Sequence, residues 1–329
     1  MEKDSTVFEN WDDEVIDFKQ PLLRGIYNIG FEQPSPIQKR AIIPMINGKD
    51  LIAQAQSGTG KTGAFTIGTL QMIKEELKKP QVIIMAPTRE LSRQIYNVIT
   101  LLTNQMQVTH QLLIGGTSTD TDKELLENNP PQIVIGCPGR IHDMLRRKYL
   151  NPTNISLLVL DEADEMLSSG FKDQIYNIFQ YLNNNIQVTL FSATIPNDLY
   201  NLTSKFMRDP IKILVKQDKL TLQGIHQYYV ALDNDEQKFM ALKDIYDTIS
   251  MTQSIIYCNS INRTADLYNA MKHDGYPVIQ IHSNMSEEER CQSYEDFKGG
   301  KARTIICTDL FARGIDIQQV SIVINFDIP

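Results

Sequence analysis

The amino-acid sequence predicts an α/β protein built from two parallel-sheet domains, on three observations. Short β-branched apolar runs alternate with amphipathic stretches along most of the 329 residues. One such run leads straight into a glycine-rich turn, Ala55-Gln56-Ser57-Gly58-Thr59-Gly60-Lys61-Thr62, where a helix should begin. The alternation breaks once, at the polar stretch 216–224, and then restarts.

In the first half the strands are expected at 51–55, 82–86, 111–114, 133–136, 157–160, 188–191 and 211–215. Helical patterns lie between most of them, as at 91–102 and 171–182, which is the rhythm of a parallel sheet with helices on both faces. In the second half strands are expected near 227–231, 254–258, 278–281, 304–307 and 322–325, separated by helices near 237–249, 263–272 and 287–297. The resulting organisation is an N-terminal extension at 1–20, a first domain at 21–215, a linker at 216–224 and a second domain at 225–329.

With 42% hydrophobic and 22% charged residues, the composition is that of a soluble globular protein. The net charge of −8 removes any global electrostatic case for nucleic-acid binding, which usually leaves a basic footprint. Binding through a local groove of backbone amides and a few arginines stays open. The four cysteines, Cys137, Cys258, Cys291 and Cys307, form no CxxC pair and read as reduced, mostly buried thiols of an intracellular protein. The five histidines show no zinc spacing. The polar start Met1-Glu2-Lys3-Asp4 is no signal peptide, and no apolar run reaches membrane-spanning length. A cytoplasmic monomer is expected, with the nucleus as the alternative location.

Residues 55–62 carry the clearest chemistry. Gly58 and Gly60 let the backbone curl so that its N–H groups converge on phosphate oxygens, and the helix N-terminus adds a favourable dipole. Lys61 would reach the terminal phosphates of a nucleoside triphosphate, and the Thr62 hydroxyl would ligate Mg2+. Ala55 stands where the strict pattern has glycine. Asp161 follows the apolar run 157–160, at the carboxyl end of a parallel strand, where such folds bind ligands. It suits a metal, partly through water, and Glu162 suits the orientation and deprotonation of an attacking water. Ser192 and Thr194, after the run 188–191, offer hydroxyls to Asp164; a helix N-cap is the plainer reading of that tripeptide. Upstream, Gln38 has an amide that matches the Hoogsteen edge of adenine, and Phe31 could stack on the ring. Taken alone this stretch is a turn followed by a helix, and Phe8, Trp11 and Phe18 compete for the stacking role.

These elements in this order resemble the DEAD-box ATP-dependent RNA helicases, closest to the translation-initiation members and their nuclear relatives. The resemblance spans about 18–329 and includes Asp161-Glu162-Ala163-Asp164-Glu165-Met166-Leu167 and Arg208-Asp209-Pro210-Ile211-Lys212. It implies two RecA-like domains, with ATP in the cleft between them and RNA across both. It also implies that Pro87, Thr88, Arg89, Gly115, Gly116, Gly139 and Arg140 contact RNA from the first domain. Asn259, Arg290 and Thr308 would do so from the second, and Gly314 and Asp316 would approach the ATP ribose. Such contacts fall on phosphate and ribose, so binding should be largely independent of sequence. A translation scaffold protein is the implied partner.

Three departures from the family pattern bear on RNA. Cys137 replaces a threonine, 282–284 reads His-Ser-Asn instead of His-Gly-Asp, and Glu287 replaces the glutamine of a Gln-x-x-Arg segment. The family also continues beyond the equivalent of Pro329 with a His-Arg-Ile-Gly-Arg-like segment, which makes the second domain incomplete by this reading. Loss of an arginine that stabilises the transferred phosphoryl group costs roughly 10³–10⁵ in turnover. Two expectations therefore stand together: an RNA-stimulated ATPase that unwinds short duplexes, or a non-catalytic protein that binds ATP, RNA or a partner. A DNA translocase of the wider superfamily is a third, which the Gln38 segment and the Asp-Glu-Ala-Asp tetrad disfavour.

Overall fold

The computed structural model describes residues 7–56, 58–168, 170–214, 225–249, 252–309, 317 and 319–328. The chain divides between 223 and 224 into two compact units. The expected linker at 216–224 lies outside the described residues.

The first unit holds a seven-stranded sheet of β1 (Leu51–Gln54), β2 (Val82–Met85), β3 (His110–Leu113), β4 (Ile133–Gly136), β5 (Leu157–Leu160), β6 (Gln187–Ser192) and β7 (Ile211–Ile213). Its order is β3-β4-β2-β5-β6-β1-β7, and every pairing is parallel. The continuous apolar runs of β2, β4 and β5 have a direct cause: both sheet faces are covered, so neither set of alternating side chains meets water. Val82 and Ile84 enter one core layer, while Ile83 and Met85 enter the other. The sequence reading runs one or two residues long at β1, β2 and β7 and short at β6, as expected where an apolar run outlasts its hydrogen-bond ladder.

Helices α1 (Gln20–Asn28), α2 (Pro36–Ile46), α3 (Lys61–Met72), α4 (Arg89–Leu102), α5 (Thr119–Asn128), α6 (Pro138–Arg146), α7 (Ala163–Ser168), α8 (Lys172–Tyr181) and α9 (Asn197–Phe206) complete the unit. The hydroxyl of Thr88 accepts from Leu91 N and caps α4. Gly136 has no alternative at the end of β4, because a Cβ there would lie 1.9 Å from the Leu113 carbonyl oxygen.

The segment before α1 is more than an extension. Phe8, Trp11 and Phe18 are buried and pack on one another, with ring centroids 5.6, 6.2 and 6.0 Å apart. They join the core layer that contains Phe65 and Ile84. The Lys19 ammonium donates to the carbonyls of Leu70 and Ile73, at the C-terminal end of α3 where a cation is favoured. None of these three aromatic rings is therefore available to stack on a base.

The second unit holds a four-stranded parallel sheet of β8 (Gln253–Tyr257), β9 (Val278–Ile281), β10 (Thr304–Cys307) and β11 (Val320–Asn325), in the order β11-β8-β10-β9. Helices α10 (Asp235–Thr248), α11 (Ile261–His273) and α12 (Glu287–Lys298) accompany it. The strand expected at 227–231 is absent. Tyr228 and Tyr229 are 88% and 93% exposed, so neither face of an extended segment is covered there. Among the described residues no strand pairs with it, and β-branched content alone makes no strand without a ladder partner.

Truncation of Trp11 to alanine should cost the first unit about 3–5 kcal/mol, the usual loss for a buried aromatic. Urea denaturation followed by circular dichroism measures it. Burial pushes the Cys258 thiol up to about 11 and raises Cys307 further. The thiolate is the reactive form, so a rise of two units from 9 leaves about a hundredfold less of it near pH 8. Alkylation of the native protein at that pH should therefore modify the half-buried Cys137 and Cys291 first. Cys258 and Cys307 should react only after unfolding, as mass spectrometry of the labelled peptides would read.

Candidate active site

Parallel pairing sends the exit loops of β1 to β6 to one edge of the first sheet. The exit loop of β1 is the glycine-rich turn. Gly58 and Gly60 have φ of +76° and +94°, left-handed values that side-chain-bearing residues rarely adopt. The Thr59 hydroxyl donates to the Gln56 carbonyl at 2.7 Å and closes the loop on itself. Ser57 lies outside the described residues. Ala55, in place of glycine, is buried, and its N–H donates to the Ser192 carbonyl at 3.0 Å.

Lys61 and Thr62 open α3 as expected. Lys61 is 5% exposed, and its ammonium lies 2.7 Å from Glu162 Oε1. Both members of this pair are buried, so separating them without a substitute charge would cost several kcal/mol. Glu162 adopts φ +50°, a left-handed backbone that costs a residue of its kind about 1–2 kcal/mol. Its N–H donates to Asp161 Oδ1 at 3.0 Å. Asp161 is 1% exposed; burial pushes its carboxyl up to about 7, against the pull of the Lys61 ammonium and with the push of Glu162.

Asp161, after β5, and Thr62, at the start of α3, offer one carboxylate and one hydroxyl, both hard oxygen donors. That suits Mg2+, which keeps several waters and takes few protein ligands besides phosphate. Among the described residues no group of three or more His, Cys, Asp or Glu side chains could hold a metal by itself.

The loop after β6 is tied to the acidic segment. Thr194 Oγ1 donates to Asp164 Oδ2 at 2.6 Å, and Thr194 N reaches the same oxygen at 3.2 Å. Ser192 Oγ accepts from Asp164 N at 3.3 Å and donates to the Thr194 carbonyl at 2.6 Å. Gln54 Nε2, at the end of β1, donates to the Ala193 carbonyl at 3.2 Å. The loops of β1, β5 and β6 thus form one connected network.

Phe31 and Gln38 sit against the start of α3. The Gln38 amide donates to the Gly60 carbonyl at 3.2 Å and accepts from Ser35 N at 2.7 Å. One N–H and one lone pair of that amide lie outside these two bonds. A Cβ at Gly63 would lie 2.5 Å from Gln38 Nε2 and 2.9 Å from Phe31 Cε2. Gly63 is the residue that sequence reasoning missed here; a glycine in the first turn of a helix is the signal that a close neighbour requires it.

The loops of β2, β3 and β4 carry the residues singled out for RNA. Pro87, Thr88 and Arg89 follow β2, and Arg89 Nη2 would lie 3.2 Å from a Cβ at Gly115. Gly116 has φ +92°. Gly139 is exposed with open space around it. Arg140, on α6, is largely buried and engaged: it pairs with Asp122 and donates to Thr117 Oγ1 at 3.1 Å and to the Thr117 carbonyl at 2.8 Å. Asp122 was not anticipated, since an acid near the start of α5 carries no sign of its distant partner. Cys137 precedes α6 without capping it and lies 3.6 Å from the Ser92 hydroxyl.

In the second unit Asn259 follows β8 and Thr308 follows β10, at the same edge of its parallel sheet. Arg290 lies on α12, which follows β9. The Asn259 backbone N–H donates to Asp327 Oδ2 at 3.1 Å, and its side chain donates to the Ile328 carbonyl at 2.7 Å. Asp327 also receives Arg263, which holds its carboxyl below the usual range against burial. Gly314 and Asp316 lie outside the described residues.

A buried lysine and an acid pair, brought together on neighbouring loops of a parallel sheet, are the working parts of a nucleotide-binding motor domain. Residues 35–202 match the DEAD/DEAH box helicase model and residues 237–329 the helicase conserved C-terminal domain. The chain belongs to the DEAD/DEAH box helicase family. It is 51% identical over 311 residues to a Kluyveromyces lactis protein described as ATP-dependent RNA helicase eIF4A, covering 94% of this chain and 78% of that protein. Among solved structures it resembles S. cerevisiae Dbp5 bound to RNA and ADP BeF3, with a TM-score of 0.87, 34% identity, and 95% of this chain and 80% of that one covered. A DEAD box protein from the hyperthermophile Methanococcus jannaschii gives a TM-score of 0.61 at 32% identity, with 98% and 86% covered.

Alanine at Gly63 should displace the Gln38 amide and the Phe31 ring while leaving Lys61 in place. An adenine nucleotide should then bind about tenfold more weakly, a change of about 1.4 kcal/mol. Inorganic triphosphate, which has no base to lose, should bind unchanged; titration calorimetry with both ligands separates the two.

Proposed function

We propose that this chain is an eIF4A-like, ATP-dependent RNA helicase that hydrolyses ATP when RNA is bound and opens short duplexes locally. The observation that carries this reading is the buried pair of Lys61 and Glu162 beside Asp161. Lys61 binds the terminal phosphates, and Glu162 orients and deprotonates the attacking water. Thr62 and Asp161 would hold Mg2+, which supplies charge neutralisation at the phosphates. Phe31 and Gln38 select adenine. The network from Gln54 through Ser192 and Thr194 to Asp164 transmits the state of the phosphate loop to neighbouring loops.

The reading extends to RNA through the solved relative that holds RNA and through the loops of β2, β3 and β4. Glycine turns and arginines suit phosphate oxygens and carry no base information. The overall charge of −8 argues for this local recognition over a basic surface. Arg140 and Asn259 serve RNA only if they exchange their internal partners, Asp122 and Asp327, for phosphate or ribose. The reading includes a role in translation initiation, supported by likeness to the eIF4A relative, together with a scaffold partner and a cytoplasmic monomer. Among the described residues no helix is long and apolar enough to cross a membrane.

Phosphate release from ATP, measured with and without single-stranded RNA, tests the proposal. RNA should stimulate release by the wild-type chain. Glu162→Gln should keep nucleotide binding and lose about 10²–10⁴ in turnover, the usual contribution of a general base. Lys61→Ala should lose nucleotide binding itself. Binding without turnover in the wild type would instead favour a non-catalytic clamp, and stimulation by DNA over RNA would favour a translocase.

A further inference from the structure

The second unit carries a cavity of about 500 Å³ beside the 287–290 segment, lined by residues to which the nucleotide and RNA readings give no role. Its walls include Tyr268 from α11, Ile279 and Gln280 from β9, Met285 just before α12, and Glu288 and Glu289 in the first turn of α12. Successive strand residues point to opposite faces of a sheet. A cavity lined by both Ile279 and Gln280 must therefore wrap around the rim of the sheet. The helices agree. α11 packs with Val278 and Ile306 in one core layer, whereas Phe297 of α12 packs with Ile281 and Ile305 in the other. The only place where a single cavity meets both helices and β9 is the outer edge of β9.

That edge is open. β9 ends the order β11-β8-β10-β9, and among the described residues it pairs with β10 alone. Its outward backbone groups form a template for another strand, the feature proteins usually cover or blunt. Gln280 lines the cavity, and its buried Oε1 has no hydrogen-bond partner among the described residues, an arrangement that asks for a donor. The cavity lining carries two carboxylates and no lysine or arginine. Glu289 accepts from Ser286 N at 2.9 Å, which holds its carboxyl below the usual range, so it is charged at neutral pH. Ile279, Met285 and Tyr268 supply the apolar surface.

We propose that the open edge of β9 docks an extended segment of a partner protein by strand addition, with its lysines or arginines against Glu288 and Glu289 on the α12 face and its apolar side chains against Tyr268 on the α11 face. Backbone pairing along β9 supplies affinity, and the alternation of apolar and basic residues supplies specificity. The net charge of −8 favours approach of a basic segment at low salt.

The probe is a capped peptide of alternating lysine and valine, about nine residues long, added to the 15N-labelled full chain. Saturable binding is expected, with amide shifts concentrated at 278–281 and 285–293. The same peptide with proline at every second position should not bind, because it cannot donate to a ladder. The alternating glutamate–valine peptide should not bind either. Glu288→Lys should weaken binding at least about fivefold, and so should Gln280→Val, which removes the acceptor and preserves strand propensity. Thermal melts check that both variants fold. The proposal is overturned by no saturable binding up to about 1 mM, by shifts centred on another surface, or by undiminished affinity in two folded variants. It is also overturned if a single-stranded RNA, and not the peptide, perturbs the β9 edge.

Discussion

The first unit depends on one constraint: all its strands run the same way and are buried on both faces. A parallel strand cannot return by a tight turn, so each chain exit appears at the same sheet edge and each return crosses a face as a helix. The motifs are scattered from residue 55 to residue 194 in the chain, yet they meet along one line. The strand order also sorts them. β5, β6 and β1 are neighbours and present the phosphate loop, the acid pair and the Ser192–Thr194 loop. β2, β4 and β3 are neighbours and present the loops suited to a phosphate backbone.

Charges at the candidate site are balanced from within. Lys61 holds Glu162, Arg140 holds Asp122, and Asn259 and Arg263 hold Asp327. A buried or half-buried charge without a counter-charge is costly, so Lys61, Arg140 and Arg263 each hold an internal carboxylate. The free energy of a ligand at these positions is therefore that of an exchange and not of a simple addition.

Much of the fold was legible because the signals were local. The apolar runs of β4, β5 and β10 were bounded to the residue, since fully covered strands read as nearly continuous apolar stretches, and so was β9, which is covered only in part. The phosphate loop was legible because glycine is demanded where φ is positive, at Gly58 and Gly60. Two features were not. The segment 227–231 has strand composition, but whether a strand forms depends on a partner elsewhere in the chain. Phe8, Trp11 and Phe18 lie in a polar terminal stretch, and only the surface of α3 and its neighbours makes them core.

The sequence by itself determined the class of chemistry, because a curled backbone, a lysine and a carboxylate pair are properties of short stretches. Tertiary structure decided which groups face one another. Lys61 and Glu162 are 101 residues apart and meet at 2.7 Å, and no local pattern records that distance. The same holds for the glycine at 63, whose missing Cβ makes room for Gln38 and Phe31. Contacts between distant residues arise from sheet order and helix packing, which depend on the whole buried interior and not on any one segment.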